Sequence, residues 1–100
     1  MLKRRRYKDV IARQLELFAS EDGDLLDDVA NALERYNAAD RDDAEELYGD
    51  FQLAIEAATD RLAELRDAYA RTLEEPDEYA GEFNRAVVER WPELALTIED

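Results

Sequence analysis

The chain contains no cysteine and no histidine. The first absence excludes disulfides, thiolate nucleophiles and cysteine-ligated zinc. The second removes the usual general base at neutral pH and the commonest metal ligand. Serine occurs once, as Ser20, and without histidine it has no partner to activate it as a nucleophile. Three glycines and two prolines leave no glycine-rich phosphate loop, and the lack of β-branched runs argues for helices over sheet. Long apolar runs are missing too. The stretch VIARQLELF is broken by Arg13 and Glu16, so the basic start is not followed by the apolar core of a signal peptide, and nothing approaches a membrane span. The expectation is a cytoplasmic protein with no membrane partner and no cofactor. Lysine is scarce as well, because only Lys3 and Lys8 are lysines and the other eleven basic residues are arginines.

What is present is acid. Twenty-seven Asp and Glu against 13 Lys and Arg give a formal charge of -14, yet 46% of residues are hydrophobic. That content is too high and too periodic for an acidic disordered tail, so the charge belongs to a folded surface. A surface rich in Asp and Glu and poor in Lys resembles that of cytoplasmic proteins of extreme halophiles. The likeness is one of composition over the whole chain and implies adaptation to solvent. Self-repulsion strains such a fold in dilute buffer, whereas molar salt cuts the Debye length to about 3 Å.

One hundred residues suit a single small domain. Tyr7, Val10, Ile11, Leu15 and Phe18 recur at helical steps and predict a first helix from about Lys3 to Ala19. SEDGD then offers Gly23 as a left-handed stop and Asp24 as the next N-cap. Leu26, Val29, Leu33 and Tyr36 predict a second helix to about Asn37, with Asp40 capping a third. In that third helix Ala44, Tyr48, Phe51, Ile55, Ala58, Leu62, Leu65 and Tyr69 alternate steps of four and three, the seam of a packed helix pair. It is expected to reach about Glu74, before Glu75-Pro76, with Gly49 marking a bend or a close crossing. A fourth helix carries Tyr79, Phe83, Val87 and Trp91 and ends at Pro92. The tail ELALTIED is left as an extended arm or a last helical turn.

The expected fold is therefore all-α: a four-helix bundle with one long central helix and shorter helices folded back on it. Its parts are a basic arm or frayed start over 1–8, a bundle over 9–91 and a tail over 92–100. Phe51, Ile55, Leu62 and Leu65 are expected to be buried between helices. A chain this small is not expected to hide the whole seam together with Tyr48, Tyr69 and Trp91, which leads to a two-fold homodimer with Tyr69 and Trp91 at the subunit contact.

One carboxylate pattern resembles catalytic machinery. Asp42, Asp43 and Glu46, then Glu64 and Asp67, resemble the EExxE…ExxD metal-binding motif of the all-α NTP pyrophosphatases. That resemblance implies magnesium held by Asp43, Glu46, Glu64 and Asp67, and nucleotide hydrolysis. Against it, such a pattern arises readily by chance in so acidic a chain, and an unbroken helix would hold Glu46 and Glu64 about 27 Å apart.

The remaining feature is MLKRRRYKDV, where five of the 13 basic residues fall in the first eight positions. Arg4, Arg5 and Arg6 with Tyr7 suit a phosphate backbone and a stacked base, an acidic protein partner, or docking on the chain's own acidic surface. The preferred expectation is a non-enzymatic protein-interaction module. A nucleic-acid-associated or regulatory protein using the arm comes second, and a magnesium-dependent nucleotide hydrolase third.

Overall fold

The computed structural model describes residues 6–96, which form α1 (Lys8–Glu21), α2 (Gly23–Asn37), α3 (Arg41–Ala70), α4 (Pro76–Arg90) and a closing 3-10 turn, Pro92–Leu96. No strand occurs among the described residues, so the fold is all-α with four helices.

The boundaries differ from the sequence expectation where local electrostatics and turns intervene. α1 starts at Lys8 and not near Lys3, with Arg6 outside the helix and Asp9 in its first turn. Cations are unfavourable beside the positive end of a helix dipole, and an acid is favoured there. Gly23 is not a left-handed stop, since no residue among those described has positive φ. Asp22 makes the break instead, with φ -116° and ψ 28°, and it stands in the N-cap position of α2 expected for Asp24. Arg61 of α3 holds this break, its Nε donating to Asp22 Oδ2 at 3.2 Å. α2 stops at Asn37 as expected, and Asp40 takes the N-cap position of α3, though without the side-chain hydrogen bond of a cap. α3 ends at Ala70, short of Glu74, because the N–H and hydroxyl of Thr72 both turn back to the carbonyl of Tyr69, at 3.0 and 2.7 Å. Pro76 then opens α4 at a position where a missing N–H costs nothing. The helix runs unbroken through Gly49, and a Cβ there would meet nothing within 4 Å, so the glycine marks no crossing.

Side-chain contacts fix the register. Arg61 with Asp22, Arg35 with Asp50 and Tyr36 with Tyr48 set α2 antiparallel to α3. Tyr69 with Tyr79 and Arg66 with Asn84 set α4 antiparallel to the other half of α3. α1 runs parallel to α4, because Tyr7 meets Tyr79 while Glu16 and Phe18 meet Arg90 and Trp91. Thus α1 and α2 follow one another along α3 with the break at Asp22 between them. The whole measures 50 × 25 × 20 Å.

The core is thickest where three helices meet. Ile11, Leu15 and Phe18 of α1, Ala58 and Leu62 of α3, and Tyr79, Phe83 and Val87 of α4 are buried there. The 3-10 turn closes the top with Leu94, also fully buried, so the start of the tail is a helical turn and not an extended arm. Of the four seam residues expected to be buried, Phe51, Ile55 and Leu62 are, whereas Leu65 is half-buried because it sits towards the edge of the stripe.

Candidate functional site

Tyr69 and Trp91, expected at a subunit contact, both have partners within the chain. The Tyr69 ring lies 5.0 Å from that of Tyr79. Trp91 meets Phe18 edge-on at 5.5 Å and carries the Arg90 guanidinium over its face at 4.8 Å. Each is half-buried. Arg4 and Arg5 lie outside the described residues. Arg6 docks on the start of α4, with Nη1 3.4 Å from Glu75 and 3.9 Å from Glu78, and its guanidinium sits 5.5 Å from the Tyr7 ring centre. The arginine nearest the fold thus pairs with the chain's own carboxylates.

The four carboxylates of the pyrophosphatase-like pattern are not brought together. Asp43, Glu46, Glu64 and Asp67 all lie on the single helix α3, with Arg61 bonded to Glu64 at 3.1 Å and Arg66 to Asp67 at 2.8 Å. No group of three or more acidic residues among those described is close enough to hold a metal ion. The motif needs facing helices, and an unbroken α3 does not supply them.

A cleft of about 690 Å³ lies between α1 and α4, lined by Ile11, Leu15, Ala86, Lys8, Arg85 and Glu82 among others. Glu82 is 9% exposed, and its Oε1 is sealed from solvent without a hydrogen-bond partner. The hydroxyl of Tyr79, three residues earlier, is sealed in the same way. Burial pushes the Tyr79 phenol up to about 12, with the charges of Tyr69 and Glu82 adding to the shift. Sequence reasoning missed Glu82. Its signal was its place one turn after Tyr79 and beside Phe83, inside the apolar face of α4.

A second surface lies at the other end of the molecule. The fifteen residues of α4 reach about 22 Å, and with the five-residue 3-10 turn they cover α3 back to about Ile55. Beyond that point α3 has α2 beside it and no third helix. Tyr48 stands eighteen residues before Arg66, a whole number of helical turns, so both lie on one stripe of α3. At Arg66 the stripe is covered by α4 through Asn84 Oδ1 at 3.0 Å, and its side chain is 16% exposed. At Tyr48 the same stripe is more open, and the residue is 38% exposed. Tyr36 of α2 lies 5.3 Å from the Tyr48 ring, with Phe51 6.3 Å away on the buried side. Leu33, one turn before Tyr36, is half-buried, and Gln52, one turn after Tyr48, is exposed. Together they form a ledge with an aromatic centre.

No helix among the described residues is long and apolar enough to cross a membrane. No protein-family model, curated protein or solved structure matches the chain.

Proposed function

We propose that the protein is a non-enzymatic helical interaction module whose working surface is the ledge at the two-helix end. The observation that carries this reading is the stripe on α3, packed under α4 at Arg66 and exposed at Tyr48. A stripe that is built for a covering helix and continues past it is a natural site for a helix from elsewhere. The contact surface therefore moves away from Tyr69 and Trp91, which are half-buried, to Tyr48, which is exposed. Occupancy of the ledge by a second copy gives the homodimer, and occupancy by another protein gives a heteromeric complex.

A photo-crosslinking residue at Gln52 tests the reading against the same residue at Asp60 and Arg71, which are exposed positions elsewhere. The expected outcome is one defined adduct, identified by mass spectrometry, from the Gln52 position only. Equal labelling from all three positions, or none, removes the ledge as a working surface.

The basic arm has an architectural reading. Arg6 pairs with Glu75 and Glu78, which supports docking of the arm on its own fold over a nucleic-acid role. Removing residues 1–6 is then expected to loosen the start of α1 and to leave retention on immobilised nucleic acid unchanged. Loss of such retention at high salt favours the nucleic-acid reading.

A further inference from the structure

We infer that the ledge receives a basic amphipathic helix of a partner protein, of about four turns. The inference rests on the ledge being the working surface and adds the chemistry of its occupant. Length comes first: about fourteen residues of α3, from Arg41 to near Ile55, lie beyond the reach of α4. Shape comes second, because α4 shows which helix fits this stripe. It inserts Tyr79, Phe83 and Val87, one turn apart, and all three are fully buried.

Charge decides between occupants. Residues 23–54 hold ten acidic and two basic side chains, whereas the other 59 described residues hold fifteen and eight. Within the two-helix end the ion pair among the described residues is Arg35 with Asp50, 3.8 Å apart and exposed on both sides. Most carboxylates of this end therefore have no basic residue of the same end to pair with. A second copy would bring the same excess of acid to the same surface, and like charges facing across an interface oppose association. A helix with lysine or arginine outside its apolar face would instead meet the net negative charge of this end, to which Glu45, one turn before Tyr48, belongs. Such pairs at the rim steer and orient, while the aromatic centre supplies the buried contact.

The experiment uses three dye-labelled peptides of about fourteen residues. One has leucine at every fourth position and lysine around it, one has the same composition scrambled, and one has lysine replaced by glutamate. Anisotropy is read with the full chain in about 0.5 M KCl, which suppresses unspecific attraction. The ordered basic peptide is expected to bind at least about tenfold more tightly than either control. Tyr48→Asp should abolish that preference, and so should Gln52→Arg, an exposed change that disturbs no packing. Leu53→Asp, on the opposite side of α3 and 66% exposed, should leave it intact. Equal affinity for the ordered and scrambled peptides overturns the inference, as does indifference to both ledge variants. If the protein instead sediments as a dimer in molar KCl and Tyr48→Asp makes it monomeric, the occupant is a second copy. The basic-helix inference then falls while the interaction reading stands. A monomer that ignores all three peptides removes both.

Discussion

Along α3 one apolar stripe runs through two surroundings. From Thr59 to Ala70 it lies beneath α4 with α1 alongside, and the residues that meet there include most of the fully buried large side chains: Phe18, Leu62, Tyr79, Phe83, Val87 and Leu94. From Arg41 to about Ile55 it has only α2 beside it, and its buried large residues are Phe51, Ile55 and, across the seam, Val29. The charges divide in the same way. Arginine pins the three-helix end through Arg61 to Asp22, Arg66 to Asn84, Arg90 to Glu16 and Arg6 to Glu75. The two-helix end has a large excess of acid and a single long, exposed pair. A continuous heptad therefore says where a helix is apolar and not how many neighbours will cover it.

Truncations provide the largest expected contrast. Phe83→Ala, at a fully buried site between three helices, is expected to cost about 3 to 5 kcal/mol, a large share of a small domain's stability. Phe51→Ala, at a seam with only one covering helix, should fall at or below the lower end of that range because its surroundings can relax. Urea unfolding in molar KCl measures both. Equal costs would mean that the two ends are equally well packed.

Native-state hydrogen exchange sharpens the same contrast without a mutation. Amides of α2 and of α3 before Ile55 are expected to open at least about tenfold more often than those near Leu62 and Phe83, or roughly 1.4 kcal/mol. The gap should narrow as KCl rises to molar levels, since screening relieves the end with most unpaired carboxylates. A gap independent of salt would separate the packing difference from the charge difference. It would also weaken the view that the acidity is an adaptation to brine.

Tyr79 tests the three-helix end from inside. Its hydroxyl is buried without a partner, so Tyr79→Phe is expected to stabilise the fold by about 1 kcal/mol. The wild-type protein should also lose stability in alkali. The folded phenol titrates near 12 and an unfolded one near 10, so between those values the unfolded chain binds fewer protons and is favoured as pH rises. That loss should be smaller in Tyr79→Phe, as pH-dependent denaturation curves will show.

The smallest expected effect is at Gly49, in the interior of α3 with nothing near its missing Cβ. Gly49→Ala should stabilise the two-helix end by about 0.5 kcal/mol through reduced freedom of the unfolded chain. Thermal melts read the shift. A loss of stability would indicate that something approaches Gly49 in solution, as a bound partner would.

The helical periods and the seam were legible in the sequence because each rests on spacing alone. Phe51, Ile55, Ala58 and Leu62 are all buried. Boundaries were less legible where tertiary contacts decide them. Asp22 breaks the chain because Arg61, 39 positions away, holds it, and no local signal in SEDGD distinguishes Asp22 from Gly23. Tyr48, Tyr69 and Trp91 looked alike as aromatics at seam ends. Their difference depends on where α1 and α4 stop, which follows from three-dimensional register. Glu82 was hidden for the opposite reason, since a carboxylate inside an apolar face is read as an interruption of the pattern and not as a buried group.

The parallel arrangement of α1 and α4 has a consequence for the order of assembly during synthesis. α2 with α3, and α3 with α4, are hairpins of neighbouring segments and close over short loops. α1 has no such neighbour on its α4 side, and Arg6 and Glu75 are 69 positions apart. Of these four helices, the one made first is thus the last able to complete its contacts, because Phe18 must wait for Trp91 to leave the ribosome. Until then Ile11, Leu15 and Phe18 travel uncovered on a short helix, so a chain stalled before α4 presents a nascent apolar face that the finished protein does not have.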